Sequence, residues 1–345
     1  MLKKINETMI LDLVRQEGPI SRADIAKALQ ISRPTISKLV GELVNRRVIV
    51  EIGEGQSKGG KRPILLQLNR NMHLIGIHLS YPSVKLAIVD NLGNVLVRQE
   101  LATPGTFQEM MDVLINASSE LLHSAGITHS TVAAVSVAVA GITDARTGRI
   151  VSSRNFPFLV GTGLKAALQR QYRVPILIDN DVYMGVYGEA YALSAASGSS
   201  LAFVRIDNLI GLGMWIDGRV YRGSQFAAGE IGDMLVSAER QLASGYSQEG
   251  GYFERWMNER QGEDLDYKIA CCLANIVCLF APDRLFIGGE LLIGRGGAID
   301  RINTILKRIN GRAPQLETAR FGVDAELIGS IYAAVDAIRQ NVKIY

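Results

Sequence analysis

The chain has 345 residues, of which 48% are hydrophobic, 6% aromatic and 21% charged. That is too long for one compact domain, enough for two or three, and it excludes wholesale disorder and collagen-like repeats. The formal net charge of +3 hides a split: residues 1–70 carry 13 Lys+Arg against 7 Asp+Glu, and residues 71–345 carry 24 against 27. A basic head on a mildly acidic body suits a nucleic-acid-binding module joined to something else, with chance clustering as the plain alternative.

In the first segment, Ile5, Met9, Ile10, Leu13 and Val14 recur at helical spacing. The stretch MLKKINETMILDLVRQEG has no long apolar run and no small-residue cleavage site, so no signal peptide is expected. Glu17-Gly18-Pro19 ends this helix, and Ser21-Arg22-Ala23-Asp24 reads as a capping box opening a second, with Ile25, Ala26 and Leu29 on one face. Ser32 is a good N-cap for a third helix, in which Pro34 is tolerated in the first turn. Ile36, Leu39, Val40, Leu43 and Val44 give that helix one buried face.

Ser32, Arg33, Thr35, Ser37 and Lys38 then occupy its start, where a helix entering the major groove presents hydrogen-bonding side chains to phosphates and base edges. Val48–Ile52 and Pro63–Leu68 form a hairpin signal around the Gly-rich, basic tip that carries Lys58, Lys61 and Arg62. Such a tip suits a phosphate backbone or the minor groove. The ordered combination predicts a winged helix-turn-helix over residues 1–70 that binds double-stranded DNA. The alternative is a small helical domain with a solvated basic loop.

From Met72 the texture changes. Leu74–His78, Val84–Val89 and Val95–Glu100 read as strands, followed by a helix from Phe107 to Ser124 and a strand buried on both faces at Val132–Val139. Pro175–Ile178 reads as a strand and Val182–Leu193 as a helix. The pattern restarts with strands at Leu201–Ile206, Leu212–Ile216 and Arg219–Tyr221, a helix from Leu265 to Phe280, a strand at Arg284–Ile287 and two more helical stretches. The longest nearly apolar run, Ile269 to Pro282, falls short of the roughly 18 residues a membrane span needs. Cys271, Cys272 and Cys278, the chain's only cysteines, lie in it; they pack as small hydrophobes and point to a reducing compartment. Two similar starts, each followed by alternating helix and strand, predict two α/β lobes with a cleft at the strand ends. The expected lobes span 71–188, with a C-terminal helix at 326–345 packing back on the first, and 189–325.

Several segments together resemble the ROK family of repressors, open reading frames and kinases, within the actin/hexokinase-like (ribonuclease H-like) superfamily. They are PISRADIAKALQISRPTISKLVGELVNRRVI, GGKRPILLQLN, VAVAGITDARTGRIVSSRNFPF, LIDNDVYMGVYGEA, GLGMWIDGRVYRGSQFAAGEIGD, FAPDRLFIGGELL and VDAELIGSIYAAV, in family order over nearly the whole chain. The resemblance implies a sugar pocket formed by Gly141, Asn155, Asn180, Asp181, Glu230, Asp233 and Glu254. In the family's kinases the aspartate matching Asp181 is the general base. On the residues alone, Asp181 and Glu230 could equally be carboxylates at positive helix starts.

The chain also departs from the family. Where the kinases carry Asp-x-Gly-Gly-Thr, this chain has His78-Leu79-Ser80-Tyr81-Pro82. Where they carry Gly-Thr-Gly-Ile-Gly, it has Asp207-Asn208-Leu209-Ile210-Gly211. The family's zinc histidine is Asp233 here, and Ala238–Gly251 holds no cysteine. The expectation is therefore a cytoplasmic, sugar-responsive repressor of carbohydrate-utilisation genes. It has no catalytic residue, Asp181 being a vestigial base, and no zinc or ATP as cofactor. Its partners are an operator, a sugar effector and its own copies as dimer or tetramer, and no membrane. The competing readings are a sugar kinase carrying a DNA-binding head, and a DNA-bound protein regulated by a partner protein.

Overall fold

The computed structural model describes residues 2–56, 62–196, 198–207, 209–234, 263–292 and 295–339. In the head, α1 (Leu2–Glu17), α2 (Arg22–Leu29) and α3 (Arg33–Asn45) pack on a small sheet. Its strands β1 (Ile20–Ser21), β2 (Ile49–Glu54) and β3 (Ile64–Leu68) run in the order β1-β3-β2. Ser21 accepts the amide of Asp24 at 3.2 Å, and Ser32 that of Thr35 at 3.4 Å, so both serines satisfy first-turn amides. Ile10, Ile25, Ile36, Leu43, Val48 and Leu66 are fully buried and form the head's core. The pairing of Ile20-Ser21 with Leu66 and Leu65 was not expected; two extended residues between a helix stop and a helix cap reach the hairpin.

The body contains two sheets of the same design. The first comprises β4 (His73–Leu79), β5 (Ser83–Asp90), β6 (Val95–Ala102), β7 (Val132–Val139) and β10 (Ile176–Asn180), in the order β10-β7-β4-β5-β6. The second comprises β11 (Leu201–Ile206), β12 (Ile210–Ile216), β13 (Arg219–Val220), β14 (Arg284–Gly288) and β15 (Leu316–Thr318), in the order β13-β12-β11-β14-β15. In each, an antiparallel hairpin pair continues into parallel neighbours. A small hairpin, β8 (Ile142–Asp144) with β9 (Arg149–Ser152), projects from the first lobe. The winged head followed by a two-lobed α/β body is the architecture expected from the sequence.

One face of the first sheet packs on α4 (Phe107–Ser124) and α5 (Leu164–Tyr172). One face of the second packs on α7 (Glu263–Phe280) and α8 (Ala298–Ile309). The other two faces are covered by exchange. The helix α6 (Asp181–Ala192) leaves the first sheet and packs on Leu201 and Phe203 of the second. The helix α9 (Ala325–Arg339) leaves the second and packs on Leu74, Ala87 and Ala134 of the first. Residues 188 and 189, the expected lobe boundary, fall inside α6. The two helices cross at Gly188 and Gly329, where a Cβ on Gly329 would stand 1.8 Å from the Met184 carbonyl oxygen.

Gly329→Ala should therefore lower stability by about 3 kcal/mol, because backbone cannot yield as a side chain does. Gly41→Ala, in α3 with nothing within 4 Å of the added Cβ, should raise it by up to about 1 kcal/mol. Denaturant midpoints of the two variants check this; a Gly329→Ala protein as stable as the parent would show that the helices can part.

Candidate functional site

The start of α3 is open to solvent: Ser32, Arg33, Thr35, Ser37 and Lys38 are all exposed, opposite the buried Ile36, Leu39 and Val40. The Ser32 hydroxyl lies 2.7 Å from that of Thr35, so the cap also orients the Thr35 side chain. Arg62 stands at the root of the wing, 3.8 Å from Glu54. Lys58 and Lys61 lie outside the described residues.

The second candidate site is the cleft between the lobes. Strand β10 delivers Asn180 and Asp181 to it at the first turn of α6, and strand β7 delivers Gly141. Asn180 caps the helix, accepting the Tyr183 amide at 3.2 Å, and donates to the Gly141 carbonyl at 2.9 Å. Gly141 has φ +145°, and a Cβ there would lie 2.4 Å from the Ser152 carbonyl oxygen, so only glycine lets the two walls meet. Asn155 and Glu230 also line the cleft. Asp233 stands beside it, held by Arg154 at 2.6 Å. The cleft thus gathers Gly141, Asn155, Asn180, Asp181 and Glu230, with Asp233 at its margin; Glu254 lies outside the described residues.

Asp181 is a helix-start carboxylate, but that is not its only role. It is 5% exposed and sits in a knot of charge around Arg205 of β11. Arg205 Nη1 is 3.4 Å from Asp181 Oδ2, 3.1 Å from Glu326 Oε1 and 3.0 Å from His78 Nε2, while its Nε donates to Asp207 at 2.7 Å. Burial alone would push the Asp181 carboxyl up, but the His78 ring and the Arg205 charge reverse this and hold it below the ordinary aspartate value. Arg205 is raised in turn: burial opposes its charge, and Glu326, Asp181 and Asp207 more than compensate. Asp207 further accepts the amide of Glu290.

Behind the cleft, Asp179 receives Arg222 at 2.6 and 3.0 Å, and its carboxyl is nevertheless raised by burial. The Tyr183 hydroxyl donates to the Ala228 carbonyl at 2.6 Å, tying α6 to the loop that carries Glu230.

Arg154 and Arg205 were not singled out from the sequence, and His78 was noted only as the head of the stretch that departs from the family, with no role of its own. For Arg205 a signal existed: a lone arginine inside the apolar strand LAFVRI must find carboxylates when buried. Cys271, Cys272 and Cys278 are on α7, and burial pushes the Cys272 thiol up to about 12. Among the described residues no three His, Cys, Asp or Glu side chains stand where they could share a metal. No helix among them is long and apolar enough to cross a membrane.

Residues 74–250 match the model of the ROK family, and residues 4–59 that of the MarR family. The chain is 27% identical over 336 residues to the putative xylose repressor of Caldicellulosiruptor sp. (strain Rt8B.4), spanning 84% of each chain. It is 27% identical over 238 residues to the DNA-binding transcriptional dual regulator NagC of Escherichia coli (strain K12), spanning 68% of this chain and 58% of that relative's length. A ROK family transcriptional regulator homologous to the E. coli MLC protein superposes with a TM-score of 0.75, at 16% identity over 99% of both chains. A ROK family glucokinase from Streptomyces griseus, with glucose and AMPPNP, superposes with 0.62 at 19% identity, over 76% of this chain and 98% of its own. These superpositions establish the fold.

The Asp181 knot has a pH signature. The carboxyl titrates near 3.8 when unfolded and lower when folded. Its stabilising contribution is therefore complete above that value and is lost as pH falls through the folded one. Asp181→Asn should be less stable than the parent at pH 7 by about 1–3 kcal/mol. The gap should shrink as pH drops below about 4. Denaturant midpoints across pH test this; a gap independent of pH would refute it.

Proposed function

The chain belongs to the ROK family, and from that premise we propose that it is a sequence-specific transcriptional repressor of carbohydrate-utilisation genes, relieved by a sugar or sugar derivative held between its lobes. The observation that carries this reading is the union of a solvent-facing recognition helix with a cleft in which Asp181 is clamped by Arg205 and His78. Relatives named xylose repressor and NagC support it.

A homodimer would offer two α3 helices to a two-fold operator in the cytoplasm. Asn180, Glu230 and Asn155 would meet sugar hydroxyls, and the Arg154–Asp233 pair would close one wall. The sugar shifts DNA affinity only insofar as it binds the two lobe arrangements unequally.

Phosphoryl transfer is not part of the proposal. A general base needs a free carboxylate lone pair near the attacked hydroxyl. Asp181 instead faces Arg205 and His78. Nor do the described residues fit the family's nucleotide or zinc. Asp207 brings a carboxylate where phosphate would approach, and Asp233, in the place of the zinc histidine, is engaged by Arg154.

Two experiments test the reading. Operator duplexes selected from random DNA should bind the full chain, and Arg33→Ala with Lys38→Ala should weaken binding by about 1–3 kcal/mol and flatten the salt slope by about 1 per lost phosphate contact. Unchanged binding and slope would remove α3 from the interface. A thermal-shift panel headed by xylose and N-acetylglucosamine should find one sugar that both stabilises the chain and releases the operator. Stabilisation by none would favour a partner protein as the signal, and sugar-dependent ADP release in a coupled assay would restore the kinase.

A further inference from the structure

Helix α9 touches the cleft's Arg205 at one end and the far side of the head at the other. At its start, Lys85 of β5 donates to the Val323 carbonyl at 2.9 Å and pairs with Asp324 at 3.5 Å. One residue into the helix, Glu326 is 2% exposed and reaches the same Arg205 nitrogen that faces Asp181. At its end, Arg339 donates to the Tyr191 hydroxyl at 3.0 Å and to the Asn91 carbonyl, and its own carbonyl accepts from Arg46 of the head at 2.9 Å. Arg46 also holds Glu7 of α1 at 3.0 Å and the Glu42 carbonyl of α3 at 3.3 Å. Ile338 and Leu92 pack against the head's core.

Between these ends the helix has no slack. Gly329 rides against the Met184 carbonyl, Tyr187 donates to Asp336 at 2.9 Å, and Tyr332 stacks on Tyr191 at 4.4 Å. Fifteen residues at about 1.5 Å each make a rod of roughly 20 Å. A close-packed rod of this kind tends to move as a unit, because densely packed interfaces do not deform smoothly.

We propose that α9 is the strut that links the cleft to the DNA-binding head, and that Glu326 is its positioning residue. A ligand that draws on Asp181 or Arg205 alters the Arg205–Glu326 pair, and the far end of the same helix resets the seat of α1 and α3. This rests on the regulatory reading for its purpose, but the mechanical link is testable without sugar or DNA, so its failure is separate from that of the reading above.

The test is hydrogen exchange on the full chain carrying Glu326→Gln, which keeps the shape and removes the charge. Amides of α1, of the last turn of α3 and of the last turn of α9 should exchange about threefold faster or more, while those of β4 and β7 stay at the parent rate. Arg46→Ala should speed the same head amides, and the double variant should add little to either single one, because both cut one link. Head amides unchanged in Glu326→Gln, an equal rise throughout the chain, or additive effects in the double variant would overturn the proposal. If Glu326→Gln does not fold, Glu326→Asp, with its shorter reach, is read against the same outcomes.

Discussion

Arg205 is the point on which the body's arrangement turns. A guanidinium stays charged at every accessible pH, so burying one obliges the protein to surround it with carboxylates. Here they arrive from three elements: Asp181 from the start of α6, Asp207 from the turn after β11, and Glu326 from the start of α9. His78, from the end of β4, completes the ring. One cation therefore binds the first lobe's central strand, both crossing helices and the second lobe together. The cleft inherits its character from this knot. Asp181 is pinned there by Arg205 and His78.

The crossing helices make the knot possible. Each sheet hands its last helix to the other, and the two helices meet where Gly188 faces Gly329. Larger residues at that crossing would hold the helix starts apart, and Asp181 and Glu326 would not converge on one guanidinium. The head is carried on the same framework, through Ile338 and Arg339 at the other end of α9. Cleft, crossing and head are thus successive contacts along a single rigid element.

Much of the fold was legible because apolar periodicity is a local signal. The run VAAVSVAV, apolar but for one serine, reads as a doubly covered strand, and β7 is Val132–Val139. Capping serines marked the starts of α2 and α3 for the same reason: a cap is decided within four residues. What was not legible is short or polar. Strand β15, Leu316–Thr318, has three residues and exists through its parallel pairing with β14. The β8–β9 hairpin has no pattern of its own, since each strand is too short for alternation to show. Within the cleft, Asn180 and Asp181 stood out through the motif they resemble, whereas Arg154, next to Asn155, belongs to no pattern and is placed by its pairing with Asp233.

The head, the repeated strand-and-helix order of the body and the family to which they belong are all written in the linear sequence, because each depends on residues close together along the chain. The sequence also carries His78-Leu79-Ser80-Tyr81-Pro82 and Asp207–Gly211 where the resemblance would place the kinase loops. What those residues meet is set by contacts far apart along the chain. His78 and Arg205 are 127 positions apart, and Arg46 and Arg339 are 293 apart. As a string, Glu326 is an acid at a helix start like many others, stabilised by the helix dipole. Folding brings it to the Arg205 guanidinium at the cleft, since a charge taken out of water must find its partner wherever the topology supplies one.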